Sequence, residues 1–307
     1  RRLLYRLGLK RAYKFEVPVV VIGNVVVGGA GKTPTVIAVV NHMRARGWHP
    51  GVVSRGHGRS ATGAMEVDLD TTAQASGDEP ALIRRSTQVP VFVSAQRVDA
   101  ARALLAAHPK TDVLVCDDGL QHLALQRDLN IVVFDDRGMG NGWLLPAGLL
   151  REPWPPGKFV HPTPMLLLRQ FRQGQGPTPV PVPDLVRVFD AGRTLADHAI
   201  NLSGQRVPLE ALRGTPLVAV AGLARPDVFF AMLSARGLNL IRQVALPDHA
   251  KVDEYLPWLA DGQAAVICTE KDAVKLSGID LPPGACVWSV ALELEPDPAF
   301  FAAIDDH

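Results

Sequence analysis

The run Gly28-Gly29-Ala30-Gly31-Lys32-Thr33 has the residue types that hold a nucleoside polyphosphate. Glycines let successive backbone N–H groups turn toward phosphate oxygens, and a helix starting behind them adds the positive end of its dipole. Lys32 would reach the β- and γ-phosphates, and the Thr33 hydroxyl would ligate Mg²⁺. The pattern is one glycine short, because Val26 stands where the first glycine belongs. The bland alternative is a Gly-rich turn that binds nothing. The apolar strand before the run and the helical stretch after it argue against that alternative.

Such a loop works with an acid at the end of a buried strand. Val113-Leu114-Val115-Cys116-Asp117-Asp118 has that form. Strand ends often carry Asp as a turn residue, so the pair gains meaning only beside the loop, where Asp117 and Asp118 become the expected Mg²⁺ partners. Two further pairs have chemical potential. Asp78-Glu79, after Gly77 and before Pro80, stands at an expected helix start, where N-capping is the competing explanation. Asp248-His249 follows an expected strand, and a surface pair is its ordinary reading. The segment Asp117–His122, with Gln121 and His122, is denser in polar chemistry than a capping turn requires.

The elements around these residues alternate. The first half reads as strands at Val19–Ile22, Gly51–Ser54, residues 64–69, Val91–Ser94, Val113–Cys116 and Ile131–Phe134. Helices are expected at Thr33–Arg46, from Asp78, and at Arg97–Ala107. Continuous apolar strands alternating with helices predict a parallel sheet covered on both faces. Asp135–Pro164 reads as a long functional loop, Gln173–Pro183 as a linker, and Leu185–Phe189 and His198–Leu202 as two strands. Alternation then resumes from Leu217 to Val290. The expected fold class is therefore α/β: a P-loop NTPase-like parallel sheet sandwiched by helices, with a second, smaller α/β domain. The expected divisions are a P-loop domain over 1–184, a β-strand linker region over 185–212 and a smaller C-terminal α/β domain over 213–307.

Composition excludes other classes. The chain has 307 residues, 47% hydrophobic and 21% charged, which is an ordinary globular mix. Its net charge of +1 conceals a basic tip: Arg1, Arg2, Arg6, Lys10, Arg11 and Lys14 face one acid, Glu16, within the first 16 residues. No basic stripe runs through the body, so nucleic acid is not an expected partner, whereas the tip suits an anionic surface. Cys116, Cys268 and Cys286 form no CxxC pair and read as small buried hydrophobes. No apolar run approaches the ~20 residues of a membrane-spanning helix.

Taken in order, the motifs carry a family resemblance over nearly the whole chain. They are Val21-Ile22-Gly23-Asn24, the loop Gly28–Pro34, Ser54-Arg55-Gly56, Gly77–Pro80, Asp117–His122, Arg127-Asp128, Gly140-Asn141-Gly142-Trp143, Leu145-Pro146-Ala147-Gly148, Arg151-Glu152-Pro153, Asp248-His249 and Thr269–Lys275. In these the sequence resembles the tetraacyldisaccharide 4′-kinases, the lipid A 4′-kinases of bacteria with an outer membrane. The resemblance implies transfer of the ATP γ-phosphate to the 4′-hydroxyl of a tetraacyl-glucosamine disaccharide 1-phosphate, giving lipid IVA. It implies a peripheral enzyme on the cytoplasmic face of the inner membrane, with Arg1 expected to fall inside the membrane-facing region.

By the same resemblance Asp78 is the general base and His249 orients it or shares the proton, with Lys32 acting on the transferred phosphoryl group. Gly28, Gly29, Ala30, Gly31, Lys32, Thr33 and Pro34 bind ATP, and Thr33, Asp117 and Asp118 hold Mg²⁺. Arg55, Gln121, His122, Asn141 and Arg151 are weaker candidates for phosphate or sugar contacts, and Glu152 for a supporting metal acid. Two positions depart from the family pattern: His57 replaces a usual Tyr, and Leu149 a usual Pro. Two other readings remain: a nucleotide-driven switch or partitioning ATPase, against which Val27 counts because that class carries a lysine there, and a P-loop kinase of a soluble metabolite. Trp143-Leu144-Leu145, Leu149-Leu150 and Trp154 suit acyl chains or a core.

Overall fold

The computed structural model describes residues 4–5, 9–29, 31–59, 62–156, 163–172, 174–260 and 264–307. Ala30, and Arg1, Arg2 and Arg6 of the basic tip, lie outside the described residues, as do parts of the expected loop and Gln173 of the expected linker.

The first half supplies β1 (Val19–Gly23), β2 (Pro50–Ser54), β3 (Met65–Glu66), β4 (Val91–Val93), β5 (Val113–Asp117), β6 (Leu129–Phe134) and β7 (Met165–Arg172). The second supplies β8 (Arg187–Asn201), β9 (Arg206–Pro208), β10 (Leu217–Ala221), β11 (Leu240–Ala245), β12 (Ala265–Thr269) and β13 (Val287–Pro296). Among the described residues these form one sheet, ordered β11-β10-β12-β13-β8-β7-β6-β1-β5-β2-β4-β3, with β9 on β8. Strands β8-β7-β6-β1-β5-β2-β4 are mutually parallel, as are β11-β10-β12-β13; the antiparallel pair β8–β13 joins the two sets.

That junction decides where a ligand binds. The first part of β8 pairs with β7 up to Arg172 opposite Arg193, and its last part pairs with β13, where β12 ends at the level of Ala199. The two parallel sets run in opposite directions, so their carboxyl ends confront each other across the middle of β8. Six residues of strand separate them, about 20 Å at the usual rise. Ligands of open α/β sheets bind beyond the carboxyl ends of strands, and here both halves offer those ends to one cleft.

The first half buries Val20, Ile22, Val36, Val115 and Ile131 on one face of the sheet and Val21, Leu114, Cys116 and Phe134 on the other. The second half has its own pair of clusters, around Phe230 and Ile267 and around Val220 and Tyr255. The chain end then returns: the helix Pro298–Asp305 buries Phe300, Ala303 and Ile304 in the core of the first half.

Several local readings differ from the structure. The expected strands at Leu185–Phe189 and His198–Leu202 are one strand, β8, because intervening residues such as Ala191 and Leu195 are buried against neighbours on both sides. Strand β7, with its apolar Met165-Leu166-Leu167-Leu168, falls between the expected loop and the expected linker, where no strand is expected. Asp253–Leu259, expected as a helix, is a 3₁₀ turn and a short helix divided before Pro257. Cys116 and Cys268 are buried in β5 and β12, whereas Cys286 is exposed just ahead of β13.

Candidate active site

The phosphate loop joins β1 to the helix Lys32–Ala45. Gly31 ends the loop at φ +74°, and a Cβ there would collide with the Gln170 side chain. Gln170, from β7, donates to the Gly31 carbonyl at 2.9 Å and to the Thr35 hydroxyl at 2.8 Å, which ties the loop to the sheet. Lys32 is nearly buried; its Nζ donates to Asn24 Oδ1 at 3.3 Å and lies 3.7 Å from Asp118 Oδ1. The ammonium is thus held over the loop before any phosphate arrives.

Asp117 and Asp118 end β5 with different surroundings. Asp117 Oδ2 accepts from the Ser54 hydroxyl at 2.9 Å, while its Oδ1 is buried without a hydrogen-bond partner. Burial, then the nearby Glu79 and Asp118 charges, push the Asp117 carboxyl well above the usual range. An orphaned buried carboxylate oxygen beside a phosphate loop fits a hard divalent cation. Asp118, at φ +46°, accepts from Arg151 Nη1 at 3.2 Å and faces Lys32. Burial alone would raise its pKa, but Lys32 and Arg151 bring it below the ordinary value. The geometry divides the two carboxylates: Asp117 has a free oxygen for a metal, and Asp118 anchors two cations.

Across the cleft stands the second polar centre. Gly77, at φ +95°, ends the short helix Ala73–Ser76 and opens the helix Asp78–Thr87. A Cβ at Gly77 would press on the backbone of Gly56 and His57 at 3.0–3.2 Å, so glycine is what lets the Ser54–Gly56 segment close beside Asp78. His249, at φ +62° beyond β11, reaches from the other half and places Nδ1 3.1 Å from Asp78 Oδ2. Lys271 and Lys275, four residues apart on the helix Glu270–Leu276, put their ammonium groups 3.5 and 3.8 Å from the same oxygen. Burial opposes the Asp78 charge, yet the His249 hydrogen bond and the Lys271 charge win and hold the carboxyl far below its ordinary value. An ionised Asp78 can only accept, so His249 Nδ1 carries the proton of this bond. The bond to Asp78 in turn raises the His249 pKa above 6.5, against the opposing effect of burial.

Phosphate loop, carboxylate pair and His249 line one cavity of about 870 Å³, and Asp78 is buried behind its wall against His249 and Lys271, which both line it. The family model for tetraacyldisaccharide-1-P 4′-kinase matches residues 1–307. The chain belongs to that family. It is 53% identical over 308 residues to a tetraacyldisaccharide 4′-kinase of Polaromonas sp. (strain JS666 / ATCC BAA-500), covering 99% of this chain and 86% of that protein. It is 52% identical over 307 residues to the Acidovorax sp. (strain JS42) protein of the same name, covering 99% and 85%. A crystal structure of LpxK from Aquifex aeolicus in complex with ATP superposes with a TM-score of 0.81 at 26% identity, covering 100% of this chain and 93% of that one. The protein is accordingly a phosphotransferase that acts on a hydroxyl group, of α/β fold.

In this 4′-kinase the remaining sequence candidates divide by position. Gly28, Gly29, Gly31, Thr33 and Pro34 line the cavity, as do Arg55, Gln121, His122 and Arg151. Gln121 donates to the Asn24 carbonyl at 3.1 Å and to Glu152 at 2.9 Å, so Glu152 touches the loop through Gln121. Asn141 stands apart: its exposed amide donates to the Ala147 carbonyl and accepts from Trp143 N–H, bracing its own loop. His57 packs against His249 with ring centroids 5.1 Å apart, so that departure from the family pattern adjoins the dyad. Leu149 reaches the loop through its backbone carbonyl, which accepts from Val27 N–H. Leu150 and Trp154 are core, whereas Trp143, Leu144 and Leu145 are exposed.

Three contributors to the site escape sequence reasoning. Gln170 lies on β7, the strand that sequence patterning does not mark. Lys271 and Lys275 lie inside the Thr269–Lys275 motif, where their spacing of four is the available signal that both face one way. Lys271 also lies 3.6 Å from Glu79 and 3.5 Å from Asp248, and these carboxylates, against the effect of burial, push its pKa up to about 12.

Proposed function

We propose that this kinase transfers the γ-phosphate of ATP to the 4′-hydroxyl of tetraacyldisaccharide 1-phosphate, giving lipid IVA, with Asp78 as the base. The observation that carries the residue assignment is the 3.1 Å pair between Asp78 and His249, formed from opposite halves, with His249 and the Lys32 loop lining one cavity. In the reaction the 4′-oxygen forms a bond to the γ-phosphorus while the bond from that phosphorus to the β-bridging oxygen breaks. ADP departs with the electron pair, and the hydroxyl proton goes to Asp78. A positioned base is needed because a sugar hydroxyl is a poor nucleophile at neutral pH.

Lys32 and the loop N–H groups hold the β- and γ-phosphates. Asp117 and Thr33 are the residues that would hold Mg²⁺, which would neutralise charge on the phosphates. Apolar side chains of the second half, among them Leu223, Val228 and Met232, line the cavity and suit a nucleoside. Exposed Trp143, Leu144 and Leu145 suit acyl chains. Purified protein given ATP and detergent-solubilised tetraacyldisaccharide 1-phosphate is expected to yield a bis-phosphorylated lipid. Absence of that product beside an active relative would overturn the reading.

The dyad predicts a pH dependence. A protonated His249 beside Asp78 lowers the proton affinity of the carboxylate, and a neutral ring raises it again against the constant pull of Lys271 and Lys275. Because the His249 pKa lies above 6.5, the rate should fall as pH drops through that raised value. His249→Gln should cost about tenfold or more in kcat and remove this acid limb. A pH profile identical to that of the unaltered protein would remove His249 from the dyad.

Peripheral attachment to the cytoplasmic face of the inner membrane belongs to the same proposal. Lys10, Arg11 and Lys14 are at the surface, and the backbone of Tyr13 is tied to Ala124 and Gln126 in the segment that carries Gln121 and His122. No described helix is long and apolar enough to cross a membrane. Changing the three basic residues to Gln should weaken binding to anionic liposomes, by about 1 kcal/mol per charge. Unchanged binding would leave them a solvated segment.

A further inference from the structure

A second charge cluster adjoins the phosphate loop through Arg137. Asp136, just beyond β6, faces three guanidinium groups: Arg225 Nη1 at 2.7 Å, Arg193 Nη2 at 3.2 Å and Arg172 Nη2 at 3.5 Å. Its neighbour Asp135 is committed to Arg137 at 2.8 Å, and Arg137 Nη1 donates to the Val27 carbonyl of the loop at 3.1 Å. Four arginines therefore share two carboxylates beside the loop, which leaves a surplus of two positive charges. Arg193 and Arg225 both line the cavity that holds Gly28, Lys32 and Thr33.

The three partners of Asp136 differ in freedom. Arg193 is nine-tenths buried in the middle of β8, and its Nε has no hydrogen-bond partner; Arg172 Nε is likewise buried and unpaired. Arg225 is 30% exposed, close to Arg172 at 28%, but it alone of the three lies off the strands, in the turn between β10 and the helix Pro226–Ala235. If Arg225 departs, Asp136 keeps two guanidinium partners and stays compensated. A polyphosphate on the loop offers Arg225 more negative charge than a carboxylate that is already shared.

We propose that Asp136 stands in for phosphate, and that Arg225 exchanges it for the polyphosphate of the bound nucleotide. The exchange draws the turn before Pro226–Ala235 onto the phosphate loop, while the Asp78–His249 pair is already in place. This inference rests on the reading of the cavity as an ATP site.

Calorimetric titration of the full chain with ATP, ADP and adenosine tests it. Arg225→Gln should weaken ATP and ADP about tenfold and leave adenosine within about twofold. Arg225→Lys should fall between, keeping charge without the planar fork. Asp136→Asn should bind ATP as tightly as the unaltered protein or more tightly, because the competing carboxylate is gone. Unchanged ATP affinity in Arg225→Gln would overturn the proposal. So would an Asp136→Asn loss equal to that of Arg225→Gln, the mark of a fixed clasp between the halves. Should Asp136→Asn fail to fold by thermal melting, the Arg225 variants decide alone. Failure of the unaltered protein to bind ATP would instead overturn the kinase site itself.

Discussion

Asp78→Asn is expected to lower the rate of phosphoryl transfer about 10³-fold while ATP affinity stays within about twofold. Asn keeps the size of the side chain and removes the charge that accepts the hydroxyl proton. The loss should appear in kcat, because the hydrogen bonds and ion pairs of Asp78 run to His249, Lys271, Lys275 and the Glu79 N–H, with none to the described residues of the phosphate loop. The substitution also deprives Lys271 and Lys275 of one carboxylate, yet each retains another: Glu79 and Asp248 near Lys271, and Asp272 at 3.6 Å from Lys275. The fold should therefore survive, which a melting curve checks. Near-normal single-turnover phosphorylation by a folded Asp78→Asn protein would remove Asp78 as the base.

Lys32→Ala carries the second largest expected effect, a fall of about 10³-fold in kcat/KM with ATP binding weakened as well. Lys32 supplies charge where the transferring phosphoryl group develops it, from a position fixed by Asn24 and Asp118 before substrate binds. Preorganisation of this kind avoids moving charge during the reaction, so a flexible cation elsewhere cannot replace it. The same change frees Asp118 from one of its two cations and adds repulsion toward phosphate. Rate and affinity both unaltered in Lys32→Ala would refute the assignment of the loop.

The two predictions differ in how legible their residues are. Lys32 stands in a local pattern whose spacing alone defines a phosphate loop, so strand, loop and helix can be placed from the sequence. The Asp117–Asp118 pair is legible in the same way, but the sequence treats the two acids alike. Only the fold shows that Ser54 takes one oxygen of Asp117 and leaves the other free, while Arg151 and Lys32 occupy Asp118. Asp78 and His249 are 171 positions apart, and nothing in their local sequence pairs them. Family resemblance joins them, and the tertiary structure supplies the distance. Gln170 and Arg225 are invisible as site residues in the sequence, and Lys271 and Lys275 show only a motif and a spacing, because their roles depend on which strand ends meet.

What the sequence alone determined is local: the phosphate loop, the alternation of apolar strands and helices, and the ordered motifs that identify the family. These depend on spacing within a turn, a strand or a helix, which the chain encodes directly. What the tertiary structure decided is the cleft. β8 runs parallel to β7 but antiparallel to β13, and this reversal within one sheet turns the carboxyl ends of the two halves toward each other. Hydrogen bonding between strands distant in the chain sets that arrangement. It brings His249 and Lys271 to Asp78, and Arg225 to Asp136, and no pattern of neighbours along the chain specifies those meetings.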